Sequence, residues 1–213
     1  MSDVKAPKKK TRREQAQETR ERIVRAAIEV FVEEGYTGTR MADIAQRAGV
    51  AVQTVYFVFH TKPELLSACF EYAVLGPEKV PPPMQSFNLD IRRARSGRAM
   101  LHAFARGNAA ICARAAAINE VARAAIHEPE ARAVLEGSED LRRRGLREYV
   151  DQVDERFGLR DGLDADRATD ILLTVNGPQT YLTFRGYGWT DEEFVDWATD
   201  TCTTQLLARP GRR

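Results

Sequence analysis

Within ten consecutive residues the chain gathers side chains suited to holding a polyanion: Gln53, Thr54, Tyr56, His60 and Lys62. A glutamine amide carries a donor and an acceptor side by side, which matches the edge that adenine presents in the major groove of DNA. A threonine hydroxyl can bond a base or a phosphate. A phenol, an imidazole and an ammonium suit phosphate oxygens, which fix register without reading sequence. Ala51 and Val52, just ahead, are short enough to let a helix come close to base edges, and Arg40 offers a further cation.

Elements must hold these groups in place. Ile23, Ala26, Ala27, Val30 and Phe31 fall at i, i+3, i+4, i+7 and i+8, one face of a helix. Gly35 is placed to end it. Thr39 is expected to N-cap a second helix that buries Met41, Ile44, Ala45 and Ala48 and stops at Gly49. A third helix, about 51–57, follows almost at once, so a tight glycine turn joins two short helices in a helix-turn-helix layout. Thr61-Lys-Pro-Glu64 reads as a capping box opening a fourth helix, whose free N–H groups also suit a phosphate. Residues 1 to 17 lack apolar periodicity and are expected to be a disordered arm. Six basic residues among the first 13, against one acid, would suit a polyanionic partner.

The rest of the chain reads as helical. Gly76 to Pro83 is punctuation. Helices are expected at about 96–115, 118–127 and 129–157. Another runs from a cap at Asp164, is kinked at Gly177-Pro178, and resumes through Phe184. Thr190-Asp-Glu-Glu193 caps the last one. No segment alternates with period two. The expected architecture is all-α: an arm over 1–17, a three-helix DNA-binding domain over 18–65, and a larger helical domain over 66–213, to which the family resemblance given below assigns regulation and dimerisation.

Composition narrows the class. The 213 residues are 43% hydrophobic and 30% charged, with mean hydropathy −0.43. No run approaches the ~20 apolar residues of a membrane span, and the basic N-terminus lacks the apolar stretch of a signal peptide, so a cytoplasmic location is expected. Cys69, Cys112 and Cys202 are scattered and read as buried hydrophobes. His102 and His127 are isolated, so no metal or other cofactor is expected. Motifs of nucleophilic, phosphate-binding or zinc-dependent catalysis are missing, and no enzyme activity is expected.

The run Gly35 to Leu66 resembles the N-terminal DNA-binding domain of TetR-family regulators, through Thr39, Asp43-Ile44-Ala45, Ala48-Gly49-Val50, Thr54, Tyr56, Phe59, Lys62 and Leu65-Leu66. The chain departs from that pattern at Ala51, where the family often has serine, and at Val58, where it often has histidine or arginine. The resemblance implies a homodimer joined through the last two helices, a cavity for a small-molecule effector among the middle helices, and repression relieved when the effector releases the protein from a palindromic operator. Candidate cavity-lining residues are Met100, Phe104, Asn108, Ile111, Asn119, Asn176 and Tyr181. Candidate dimer residues are Leu172, Val175, Leu182, Phe194, Trp197, Thr201 and Leu206. The alternative is a dimeric helical sensor of small molecules or proteins without specific DNA binding.

Overall fold

The structure, a computed structural model, describes residues 11–76 and 78–208. Ten α-helices follow one another among them: α1 (Arg12–Gly38), α2 (Met41–Ala48), α3 (Val52–Val58), α4 (Lys62–Leu75), α5 (Phe87–Arg93), α6 (Gly97–Ala124), α7 (Pro129–Phe157), α8 (Ala165–Val175), α9 (Pro178–Gly186) and α10 (Asp191–Leu206). A short 3-10 turn at Pro82–Met84 precedes α5. There is no strand among the described residues; one antiparallel bridge pairs Leu159 with Leu207.

Two apolar cores organise the molecule. The first joins α1 to α4 through Ile23, Ala27, Phe31, Ile44, Val55, Phe59, Leu65 and Leu66, and it is completed by Ile118, Val121, Ala122 and Ala125 near the end of α6 and by Ala131 and Leu135 of α7. The second packs Met100, Leu101 and Phe104 of α6 against Val150 and Val153 of α7, Leu172 of α8, and Phe194 and Leu206 of α10. Helix α6, 28 residues long, therefore runs from one core into the other, a reach of about 40 Å at 1.5 Å per residue. Close approach has a sequence cause: a β-carbon on Gly107 would lie 2.3 Å from the Phe87 ring, so only glycine lets α5 lie on α6.

Several expectations are corrected. Residues 11–17 are not disordered: Thr11 and Glu14 form a reciprocal capping box, and α1 begins at Arg12. Local hydrogen bonding starts this helix where apolar periodicity is silent. Residues 1–10 of the expected arm lie outside the described residues. Thr39 does not cap α2. It is enclosed at the end of α1, where its hydroxyl donates to the Gly35 carbonyl at 2.7 Å. The cap of α2 is instead Arg40, whose backbone N–H donates to the Asp43 carboxylate at 3.2 Å. The two helices expected at 96–115 and 118–127 are one, because Ala116 and Ala117 continue the helix without a break. The kink at Gly177-Pro178 is a full interruption: α8 ends and Pro178 opens α9, where its missing N–H costs little.

Candidate nucleic-acid interface

The turn between α2 and α3 is built on Gly49, whose φ of 64° is left-handed and open to glycine at little cost. The Gly49 and Val50 amides return to the Gln46 and Ala45 carbonyls, at 3.2 and 3.0 Å, and satisfy the end of α2. Helix α3 is then anchored from one side only. Val55, and Phe59 just beyond the helix, are fully enclosed, with the Arg20 guanidinium 4.3 Å from the centre of the Phe59 ring.

Anchoring through Val55 and Phe59 turns the opposite face outward. Ala51, Gln53, Tyr56 and His60 are exposed, and Val52 and Thr54 are half-buried. Arg40 is exposed beside them. Its guanidinium donates to both Asp43 carboxylate oxygens, at 2.9 and 2.8 Å, which holds the Asp43 carboxyl below its ordinary range. Arg47, on α2, is clamped to Glu29 and Glu33 of α1 at 3.1 and 2.6 Å.

Lys62 differs from the rest of the candidate set. Its ammonium turns inward, donates to the Tyr36 and Thr39 carbonyls at 2.8 and 3.2 Å, and lies 4.4 Å from the centre of the Tyr36 ring. In this arrangement it pins the α1–α2 joint and does not face outward. The residue that sequence reasoning missed is Phe57, 83% exposed. The signal was available: Phe57 stands four positions after Gln53, on the same helical row.

The candidate effector residues are almost all internal. Met100, Phe104, Asn108, Asn119, Asn176 and Tyr181 are buried, and Ile111 is half-buried. Two of them meet at the α8–α9 interruption, where Asn108 donates its amide to the Asn176 carbonyl at 2.7 Å. Arg142 of α7 donates to that carbonyl and to the Leu173 carbonyl at 3.1 and 3.0 Å and is half-buried, whereas Arg143 and Arg144 next to it are exposed. The Asn176 amide donates to the Cys202 sulfur at 3.4 Å, while its side-chain oxygen is buried without a partner among the described residues. Gln179 donates to Asn119. Tyr181 donates to Asp191 at 2.8 Å, and burial pushes its phenol up to about 12.

The candidate dimer residues divide. Leu172, Phe194 and Leu206 are completely enclosed within the protomer, and Val175 nearly so. A side chain with no exposed surface cannot pack on a second copy, so Leu172, Phe194 and Leu206 are removed from that face, while Val175 keeps a small exposed edge. Leu182, Trp197 and Thr201 are half-buried. Phe184 stacks on Trp197 with ring centres 4.3 Å apart, and Tyr187 beside it is 75% exposed.

No group of three or more His, Cys, Asp or Glu residues among the described residues could hold a metal ion, and no described helix is long and apolar enough to cross a membrane.

Residues 23–69 match the family described as bacterial regulatory proteins, tetR family. A stretch of 67 residues is 43% identical to the HTH-type transcriptional regulator CymR of Pseudomonas putida, 32% of this chain and 33% of that protein. The chain thus spans about a third of the length of the curated relatives it matches. Solved structures extend the likeness in fold. FadR of Bacillus subtilis in complex with stearoyl-CoA superposes with a TM-score of 0.65 at 20% identity, over 85% of this chain and 95% of that one. NalD, the secondary repressor of the MexAB-OprM multidrug efflux pump in Pseudomonas aeruginosa, does so with a TM-score of 0.67 at 18% identity, over 90% and 98%. Over residues 23–69 the chain thus carries an N-terminal domain of the tetR family of bacterial regulatory proteins, and along most of its length it shares the fold of these solved structures.

Proposed function

We infer that the protein is a sequence-specific DNA-binding transcription regulator, a cytoplasmic homodimer that represses from a palindromic operator and is released by a small-molecule effector. The observation that carries this reading is the exposure of Gln53, Tyr56, Phe57 and His60 on or beside a short helix anchored by Val55 and Phe59. An α-helix fits the major groove of B-DNA, and the exposed Gln53 amide matches the donor and acceptor of an adenine edge. Thr54, Tyr56 and His60 set the register on phosphates. Two copies related by a two-fold axis present two such helices about 34 Å apart, one turn of DNA.

Support for an effector comes from the buried polar node around Asn176 and from the FadR neighbour, which holds stearoyl-CoA. The effector acts only through its different affinities for two arrangements of the heads. The connection it would use is short: α6 shares the head's core, Arg114 of α6 donates to the Ala73 carbonyl near the end of α4 at 2.9 Å, and Tyr36 of the head donates to Glu130 of α7 at 3.5 Å.

The test is selection of bound sequences from a random duplex pool at near-physiological salt. Enrichment of a palindrome with half-sites one helical turn apart is expected. Recovery of nothing above background would refute specific recognition by the protein.

A further inference from the structure

Phe57 has no role in the fold. Its ring is 83% exposed, while Val55 and Phe59 on either side of it are wholly enclosed. A single exposed apolar side chain is common on protein surfaces and needs no explanation by itself. What sets Phe57 apart is its place, four residues after the exposed Gln53 on the same row of α3. The two side chains leave the helix about 6 Å apart, one helical turn. That distance covers a little under two base steps of about 3.4 Å.

A phenyl ring neither donates nor accepts a hydrogen bond, so it cannot read the polar part of a base edge. Set against the amino or carbonyl groups of cytosine or guanine, it would strip them of water and offer nothing in return. The major groove contains one apolar group, the C5-methyl of thymine. The geometry points to Phe57 as the reader of a thymine methyl, one or two base steps from the adenine that pairs with Gln53. This rests on the DNA-reading function inferred above and adds to it a specificity-determining residue with a stated base.

The test uses the full chain and the duplex it selects. Each thymine is replaced in turn by deoxyuridine, which removes the methyl and leaves every hydrogen-bonding group in place. At one thymine in each half-site the replacement is expected to weaken binding about fourfold per methyl, the effect of losing one buried carbon. Phe57→Ala is expected to lose this discrimination at that thymine alone and to accept other bases there when selection is repeated. Phe57→Leu, still apolar, is expected to keep part of it. The Phe57 side chain is outside the core, and an unchanged melting temperature verifies that each variant folds. A selected operator indifferent to deoxyuridine at every position would overturn this inference and leave the DNA reading intact. So would a deoxyuridine effect of equal size in the wild type and Phe57→Ala. A pool that enriches no sequence would overturn both.

Discussion

The Lys62 ammonium sits 4.4 Å from the centre of the Tyr36 ring and donates to that residue's own carbonyl. With the second bond, to Thr39, one cation closes the joint where α1 hands over to α2. Lys62→Met keeps much of the apolar stem and removes the donors. Two carbonyls then lose a charged partner, and the expected cost is about 1.5–3 kcal/mol of stability, read as a lowered melting temperature. The salt dependence of DNA binding separates the two roles open to this residue. A structural pin leaves the slope unchanged, whereas a phosphate contact would reduce it by about one when removed.

Arg142 does for the α8–α9 interruption what Lys62 does for the head. Pro178 supplies no N–H, and carbonyls that an uninterrupted helix would satisfy are left open. Arg142 collects those of Leu173 and Asn176, and the Thr180 hydroxyl takes that of Thr174. Arg142→Met is expected to lower stability by about 1.5–3 kcal/mol. Arg143→Met, which removes an exposed pair with Asp170, is expected to cost about 1 kcal/mol or less. Denaturant titration of both variants measures the contrast, and equal effects would refute the assigned role of Arg142.

Much of this was legible in the sequence for reasons that are local. Apolar spacing at 23–31 and 41–48, the glycine at 49 and the capping box at 190–193 each specify an element by short-range rules, and the helices formed there. What escaped depended on contacts across the chain. Nothing near Lys62 announces that its partners are carbonyls of Tyr36 and Thr39, some 25 residues away. Leu172, Phe194 and Leu206 have the composition of an interface, but their burial inside one protomer is decided by α6 and α7 packing over them. Phe57 escaped because an apolar ring has the composition of core, and only the burial of Val55 and Phe59 turns its row outward.

The three thiols are expected to be inert in the folded protein. Burial pushes Cys112 up to about 11 and Cys202 up to about 12, and raises Cys69 further. The thiolate is the reactive form, so an aromatic disulfide reagent at neutral pH should label none of them until denaturant is added, and then all three. The sign of the pH effect follows. Unfolded thiols ionise near 8.5, below the folded values, so the unfolded state sheds protons first and stability falls as pH rises above about 8.5. Each thiol contributes about 1.4 kcal/mol per pH unit across that window. Alanine at all three positions should flatten the alkaline decline, and an unaltered decline would assign it to other groups.

Leu182 tests association. It is half-buried on α9 and belongs to neither apolar core, and with Trp197 and Thr201 of α10 it keeps exposed surface. A glutamate there places an unpaired charge in any two-fold contact made by this face, at a cost of several kcal/mol, and leaves the protomer core untouched. Leu182→Glu is expected to sediment as a folded monomer with an unaltered circular dichroism spectrum and to lose affinity for a palindrome while keeping a half-site preference. A dimer of undiminished strength would place the interface elsewhere.

Three cations near the reading helix are engaged within the protein: Lys62 with two carbonyls, Arg40 with Asp43, Arg47 with Glu29 and Glu33. Attraction to phosphates can also draw on cations elsewhere, and the sequence places Lys5, Lys8, Lys9 and Lys10 ahead of α1. The capping box at Thr11 and Glu14 fixes where a truncation can be made without fraying that helix. Deletion of residues 2–10 keeps it whole. Each lysine that meets a phosphate contributes about 0.9 to the slope of log affinity against log salt, so the truncated protein is expected to bind more weakly at low salt with a shallower slope, and with its preferred sequence unchanged because the lysines read no base edge. A titration of affinity across salt concentrations measures this directly. A slope identical to that of the full chain would mean that the four lysines never reach the duplex and that arginines of the head carry the electrostatic contribution instead.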